Sequence, residues 1–250
     1  MSGHNRWSKV KHKKGPADAA RGKIFGKITK EIVLSVREGS SDPASNARLK
    51  RAMDAARAAN MPQDNVERAI KKGTGELEGV TYEELMYEGV GPAGTLLLAK
   101  VTTDNRNRTA AEIRKLFDVR GGALGAAGSA AWAFEEKGVI ALPADAATEE
   151  QLFELAVGAG AEDITNDGDE WTITTPRETL DAVRDTLEAA KLPVSRAELL
   201  FLAKNTKEVG ADDATKLLAL VEALEDHDDV QKVFADFEVP DDVLAALENA

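Results

Sequence analysis

The chain has 250 residues, no cysteine, and 44 Asp+Glu against 32 Lys+Arg, for a net charge of -12. The lack of cysteine excludes disulfides, thiolate nucleophiles and Cys-ligated zinc, and it suits a reducing compartment. No run approaches about 18 consecutive apolar residues and the start has no apolar signal core, so the chain is read as cytoplasmic, without membrane span or secretory leader.

The charge is strongly segregated. Residues 1–75 carry 17 Lys/Arg and 7 Asp/Glu, a net of +10, whereas the remaining residues carry a net of -22. The first thirty hold nine cations (Arg6, Lys9, Lys11, Lys13, Lys14, Arg21, Lys23, Lys27 and Lys30) against Asp18 alone. Such an arm attracts polyanions, and counterion release makes nucleic acid its natural partner. Trp7 stands inside the run, where it can stack on a base, and His12 adds a hydrogen-bonding edge. Met1 to about Ala17 has too few apolar residues to fold alone and is expected to order only on a polyanion.

Taken in order, the first module reads as helical. Ile24, Ile28, Ile32 and Val36 fall at four-residue spacing between Asp18 and Glu38, with Lys23, Lys27, Lys30 and Arg37 largely on the other face. A second helix is expected over Asn46–Ala59, with Leu49 and Met53 inward. A third starts at Pro62, is anchored by Val66 and Ile70, and stops before Gly73. Arg68, Lys71 and Lys72 make its far end basic, which either complements the helix dipole or adds a secondary phosphate contact.

Gly73–Gly79 reads as a hinge. Beyond it, Gly89-Val-Gly91-Pro-Ala-Gly94 spells G-x-G-x-x-G, but an apolar strand (Leu96–Val101) follows where a dinucleotide site needs a helix N-terminus. Thr109 and Glu112 suggest a capping box for a helix to Asp118. Arg106 and Arg108 at its entrance either meet phosphate or are solvated charge. The glycine-rich stretch Gly121–Gly128 lacks the Gly-Lys-Ser/Thr of a P-loop, and its small residues before Trp132 and Phe134 suggest close packing. From Val139 the pattern is β-α-β-β-α-β, with Asp167-Gly168 as a hairpin turn, Trp171 and Ile173 on one face, and Thr175–Glu178 capping the second helix. A helix (Asp213–Leu224), a strand (Val230–Phe234) and a short helix near Asp241–Leu247 end the chain.

Catalytic constellations are missing. His4, His12 and His227 are scattered, and no H-E-x-x-H or G-x-S-x-G occurs. Asp226-His227-Asp228-Asp229 is better explained as an acidic loop than as a metal site. No enzyme activity, cofactor, metal or small-molecule substrate is expected.

Gly3–Lys14 (GHNRWSKVKHKK), Arg21–Phe25 (RGKIF), Met61–Val66 (MPQDNV), Tyr87–Gly91 (YEGVG), Thr103–Thr109 (TDNRNRT) and Gly128–Trp132 (GSAAW) resemble the YebC/PmpR family nearly end to end. Asn5 and Arg6 stand where a small residue and Lys are typical, and Arg6 keeps the charge. The resemblance implies a three-domain cytoplasmic protein. It also implies DNA-binding transcriptional control, with translation factors acting at the ribosome in the mitochondrial branch and among some bacterial members.

The expected fold is therefore multidomain α+β: an N-terminal helical domain (1–78), a discontinuous middle α/β domain (79–136 with 205–250), and a ferredoxin-like domain (137–204) inserted into it. The expected function is regulation of gene expression through nucleic acid, with Arg6, Lys9, Lys11, Lys13, Lys14 and Arg21 neutralising phosphates and Trp7 stacking. Lys23, Lys27 and Lys30 would line the helix beside the backbone. Duplex DNA, ribosomal RNA or tRNA (and with it the ribosome), and an acidic protein face that docks the basic arm remain as alternative partners; no membrane is expected.

Overall fold

The computed structural model describes residues 18–240 and Val243. The expectations placed on residues 1–17, and apart from Val243 the short helix near Asp241–Leu247, lie outside the described residues. The architecture is multidomain α+β: three helices, then two antiparallel four-stranded sheets with their own helices. Two compact units emerge: one runs to Phe134 and resumes at Ala203, and the other is Glu135–Leu202, inserted between those halves.

The first unit opens with α1 (Asp18–Glu38), α2 (Ala47–Ala58) and α3 (Gln63–Thr74). Ile32, Val33 and Val36 of α1 bury against Leu49, Ala52 and Ala56 of α2 and Val66 and Ala69 of α3, while Ile24 stays half-exposed. One amide joins the first two helices: Asn46 Oδ1 accepts from the Leu49 N–H, and its Nδ2 donates to the carbonyls of Ser35 and Ser40. It thus caps α2 and satisfies carbonyls at the end of α1. α3 does not stop before Gly73 as expected. A Cβ there would lie 2.6 Å from Val36 Cβ, so Gly73 permits the close approach of α3 to α1. Gly75, at φ +83°, ends the helix.

The middle sheet contains β1 (Glu83–Val90), β2 (Leu96–Thr103), β3 (Ala123–Leu124) and β9 (Val230–Ala235) in the order β3-β1-β2-β9. β1 was not among the expected strands. α4 (Arg106–Val119) and α7 (Ala211–Glu225) close the core: Ile113, Phe117, Leu217, Leu220, Val221 and Leu224 bury with Leu97, Val101, Val230 and Val233 of the sheet. The strand expected near Phe134 belongs to the other sheet; here that place is taken by two-residue β3, paired to β1. A short parallel pair, β8 (Lys207–Glu208) with β10 (Phe237–Glu238), completes the unit.

The glycine motif is structural. Gly89 lies in β1, Pro92–Gly94 form a 3-10 turn, and β2 follows directly, so the motif leads into a strand and opens no α-helix.

The inserted unit holds β4 (Phe134–Pro143), α5 (Glu149–Leu152), β5 (Asp163–Asn166), β6 (Glu170–Pro176), α6 (Leu180–Ala189) and β7 (Arg196–Ala203). Its strand order, β5-β6-β4-β7, is the ferredoxin-like arrangement. Ile140, Leu142, Leu152, Trp171, Ile173, Val183 and Leu187 form its core. Thr148 and Gln151 make the capping box of α5, which widens into a π-helical turn over Phe153–Val157 and leaves Phe153 exposed. The cap expected from Thr175 is absent: its hydroxyl donates to the Pro176 carbonyl, and a 3-10 turn (Arg177–Thr179) leads into α6. Among the described residues, no helix is long and apolar enough to cross a membrane.

Candidate nucleic-acid interface

Lys23, Lys27 and Lys30 share one face of α1, as their spacing requires, and that face meets the C-terminal end of α7. Lys27 Nζ donates to the Glu225 carbonyl at 2.6 Å, Lys23 Nζ to the Asp226 carbonyl at 3.1 Å, and Lys30 Nζ to the Asp228 carbonyl at 2.9 Å. A helix end exposes carbonyls without intrahelical partners and carries the negative pole of the dipole. Lys23 and Lys27 answer both demands, and Lys30, the next in line on α1, reaches the turn just beyond the helix. Cations expected beside a phosphate backbone are thus placed on an internal anionic surface.

Lys30 goes further, reaching Asp229 Oδ1 at 2.6 Å. Asp229 is 4% exposed and is the hub of a polar network. Its Oδ2 accepts from Thr109 Oγ1 at 2.7 Å, Arg108 Nη2 at 2.9 Å and Thr103 Oγ1 at 3.2 Å. Burial alone would raise the Asp229 pKa, but the Lys30, Thr109 and Arg108 donors outweigh it and hold the carboxyl well below the usual range. The network explains the stretch Thr103–Thr109. Asn105, not Thr109, is the N-cap of α4, accepting from the Arg108 N–H at 3.1 Å, and Thr109 is buried inside the helix as a ligand of Asp229. The expected capping box is therefore one turn out of place.

Arg108 is exposed but pairs with Asp104 and Asp229, and Arg106 is exposed as well. Arg68 and Lys71 are exposed on α3, and the stem of Lys72 runs under Gly79. Arg21 is exposed at the start of α1. Arg6, Trp7, Lys9, Lys11, His12, Lys13 and Lys14 lie outside the described residues. Lys30 and Arg108 are thus brought together through one carboxylate; Arg68 and Lys71 belong to a separate helix.

Among the described residues, Glu112, His227 and Asp229 are the one group close enough to share a metal ion. Their donors are already engaged. His227 Nδ1 accepts from the Asp229 N–H, so the ring proton sits on Nε2 and is donated to Glu112 Oε2 at 2.9 Å. Asp229 is held by an ammonium and a guanidinium, which a metal would have to displace. The chemistry of the cluster is that of an ion-pair network.

A further surface feature differs from expectation. Trp132 is not packed: it is 66% exposed, on a 3-10 turn (Ala131–Ala133), while Phe134 is buried. The small residues before it serve another purpose. Glu88, 7% exposed in β1, accepts from the N–H groups of Gly128 at 2.6 Å and of Ala130 and Ala131, both at 2.7 Å. Burial raises its pKa, and the three N–H groups outweigh burial and lower it. The loop backbone is gathered on one carboxylate, and the indole stands out from it. A charged residue in a strand followed by a glycine-rich loop was the available sign.

Residues 5–76 match the family described as TACO1/YebC protein N-terminal domain, and residues 82–237 match that described as TACO1/YebC second and third domain. A "Probable transcriptional regulatory protein" of Desulfatibacillum aliphaticivorans is 50% identical over 98% of this chain and 99% of its own. A protein of the same description from Sulfurihydrogenibium sp. is 48% identical over the full length of both. The crystal structure of a conserved hypothetical protein from Aquifex aeolicus aligns at TM-score 0.83 and 44% identity, covering 90% of this chain and 93% of that one. With both family matches and full-length relatives near half identity, the chain belongs to the TACO1/YebC family.

Proposed function

We propose that the chain is a non-enzymatic, nucleic-acid-binding regulator of gene expression, acting in the cytoplasm on duplex DNA. The observation that carries this reading is the charge segregation, +10 over residues 1–75 on a chain of net -12. The description of its relatives as transcriptional regulatory proteins supports it. First contact falls to Arg6, Lys9, Lys11, Lys13, Lys14 and Arg21, with Trp7 beside them, because Lys23, Lys27 and Lys30 already hold the end of α7 and the turn after it. A non-catalytic role fits the one described histidine, which is engaged on both ring nitrogens.

Phosphate neutralisation gives a measurable signature. On duplex DNA, log K falls with log salt with a slope of roughly -0.9 per contact, so replacing Lys11, Lys13 and Lys14 by Ala should flatten the slope by about two to three units. The loss should be alike for all sequences. Titration by fluorescence anisotropy at several salt concentrations reads both, and an unchanged slope would remove the arm from the interface.

One observation favours a second reading, a translation factor on ribosomal RNA or tRNA: the exposed Trp132 offers a face that a fully stacked duplex has no base to meet. Crosslinking in cells, to chromosomal DNA or to ribosomes, separates the two.

A further inference from the structure

Trp132 lies about 100 positions beyond the basic arm, in the acidic part of the chain, and nothing in the charge pattern points to it. Four features of its setting bear on what it does. The ring is 66% exposed, although a large aromatic gains from burial. Its one polar atom is satisfied within the loop, Nε1 donating to the Ser129 carbonyl at 3.1 Å, so what faces outward is π surface with no hydrogen-bonding demand. The loop is anchored at both ends: three N–H groups close on the buried Glu88 carboxylate, and Lys204 Nζ donates to the Trp132 carbonyl at 2.9 Å. The ring is thus presented at little further ordering cost.

The surroundings are equally selective. Residues 121–134 contain no charged side chain, and the exposed Lys204 brings its ammonium to the Trp132 carbonyl. Leu124, the one large aliphatic side chain of the loop, packs on the middle core. The exposed neighbours Ala126, Ala127 and Ala131 are small, so the indole is the one large apolar surface the loop presents, and a base platform needs one ring with a positive charge in reach.

We propose that Trp132 is a stacking platform for an unpaired nucleobase, with Lys204 placed to meet the adjoining phosphate. The inference rests on the nucleic-acid reading and sharpens it: besides the arm, the chain has a second contact, specific for single-stranded or looped segments. Because every base has a π face and the indole N–H is occupied, the contact is indifferent to sequence.

The test uses the full chain with a labelled single-stranded oligonucleotide and the duplex of the same sequence, at fixed salt. Trp132→Ala should weaken single-strand binding about tenfold, leave the duplex within about twofold, and leave the salt slope unchanged, since no phosphate contact is lost. Trp132→Phe, which keeps a ring, should stay within about threefold of wild type. Single-strand affinity unchanged in Trp132→Ala overturns the platform and leaves the ring for a protein partner. Equal losses on both forms overturn it as well. If the wild-type chain binds neither form, the nucleic-acid reading falls and the platform with it, an outcome distinct from a wild-type chain that binds while the variant is indifferent.

Discussion

Asp229→Ala should loosen the first unit by about 3 kcal/mol, the low end for removing one member of a buried charge network. The low end applies because Arg108, with its side chain 43% exposed, can return to water, whereas Lys30, at 14%, is left facing a void. The two units need not unfold together, so the loss is best read amide by amide. Hydrogen exchange should quicken across β2, α4 and α1 while Ile140–Leu142 and Ile173 of the inserted unit keep their protection. The effect has a definite pH dependence. The folded carboxyl has a lowered pKa, so its stabilisation is complete above the unfolded value of about 4 and fades as pH falls below it. The gap between wild type and Asp229→Asn should therefore narrow in that acid window. A gap that widened with acid would show that the carboxylate is not held in its charged form.

The second large effect is steric. A Cβ on Gly89 would lie 2.4 Å from Cε1 and 2.6 Å from Cζ of Phe117, a ring with no exposure, and 3.0 Å from the Ala123 carbonyl oxygen. Gly89→Ala should destabilise the middle core by about 1–3 kcal/mol, as overpacking does, and quicken exchange of the β1 and β2 amides about 10- to 100-fold. The same change at Gly22, where a Cβ meets nothing within 4 Å, should leave those amides unaffected. Gly91 is also closely packed, its Cβ position lying 2.8 Å from Leu97 Cδ1 and 2.9 Å from Leu217 Cδ2. A motif with the spacing of a dinucleotide loop thus owes its glycines to core packing and a turn.

What was legible in the sequence followed from local chemistry. The helix of Ile28, Ile32 and Val36, the helix opening at Asn46, the Asp167-Gly168 turn and the alternation of Trp171 and Ile173 each depend on near neighbours, and the α+β class with its ferredoxin-like insert follows from their order. The misplaced features depend on distant partners. Asn105 and Thr109 are both cap-type residues, and the choice between them is made by Asp229, 120 positions from Thr109. β1 was hidden because Glu88 and Gly89 are poor strand residues. Glu88 is there to hold the Trp132 loop, and Gly89 to clear Phe117. The acidic end of α7 that receives Lys23, Lys27 and Lys30 lies about 200 residues away, beyond any periodicity.

The discontinuous middle core also dictates an order of events during synthesis. β1, β2 and α4 leave the ribosome before the inserted unit, but α7 and β9, which cover Leu97 and pair with β2, follow after it. From Phe134 to Ala235 the half-built sheet waits for about 100 residues, roughly 5–20 s at typical elongation rates. Through that interval the outer edge of β2 is open and its apolar residues lack a cover, while the ferredoxin-like insert has all of its own strands and can close. The α1 lysines, among the first residues made, meet their carbonyls at and just beyond the end of α7 only as the last strands emerge.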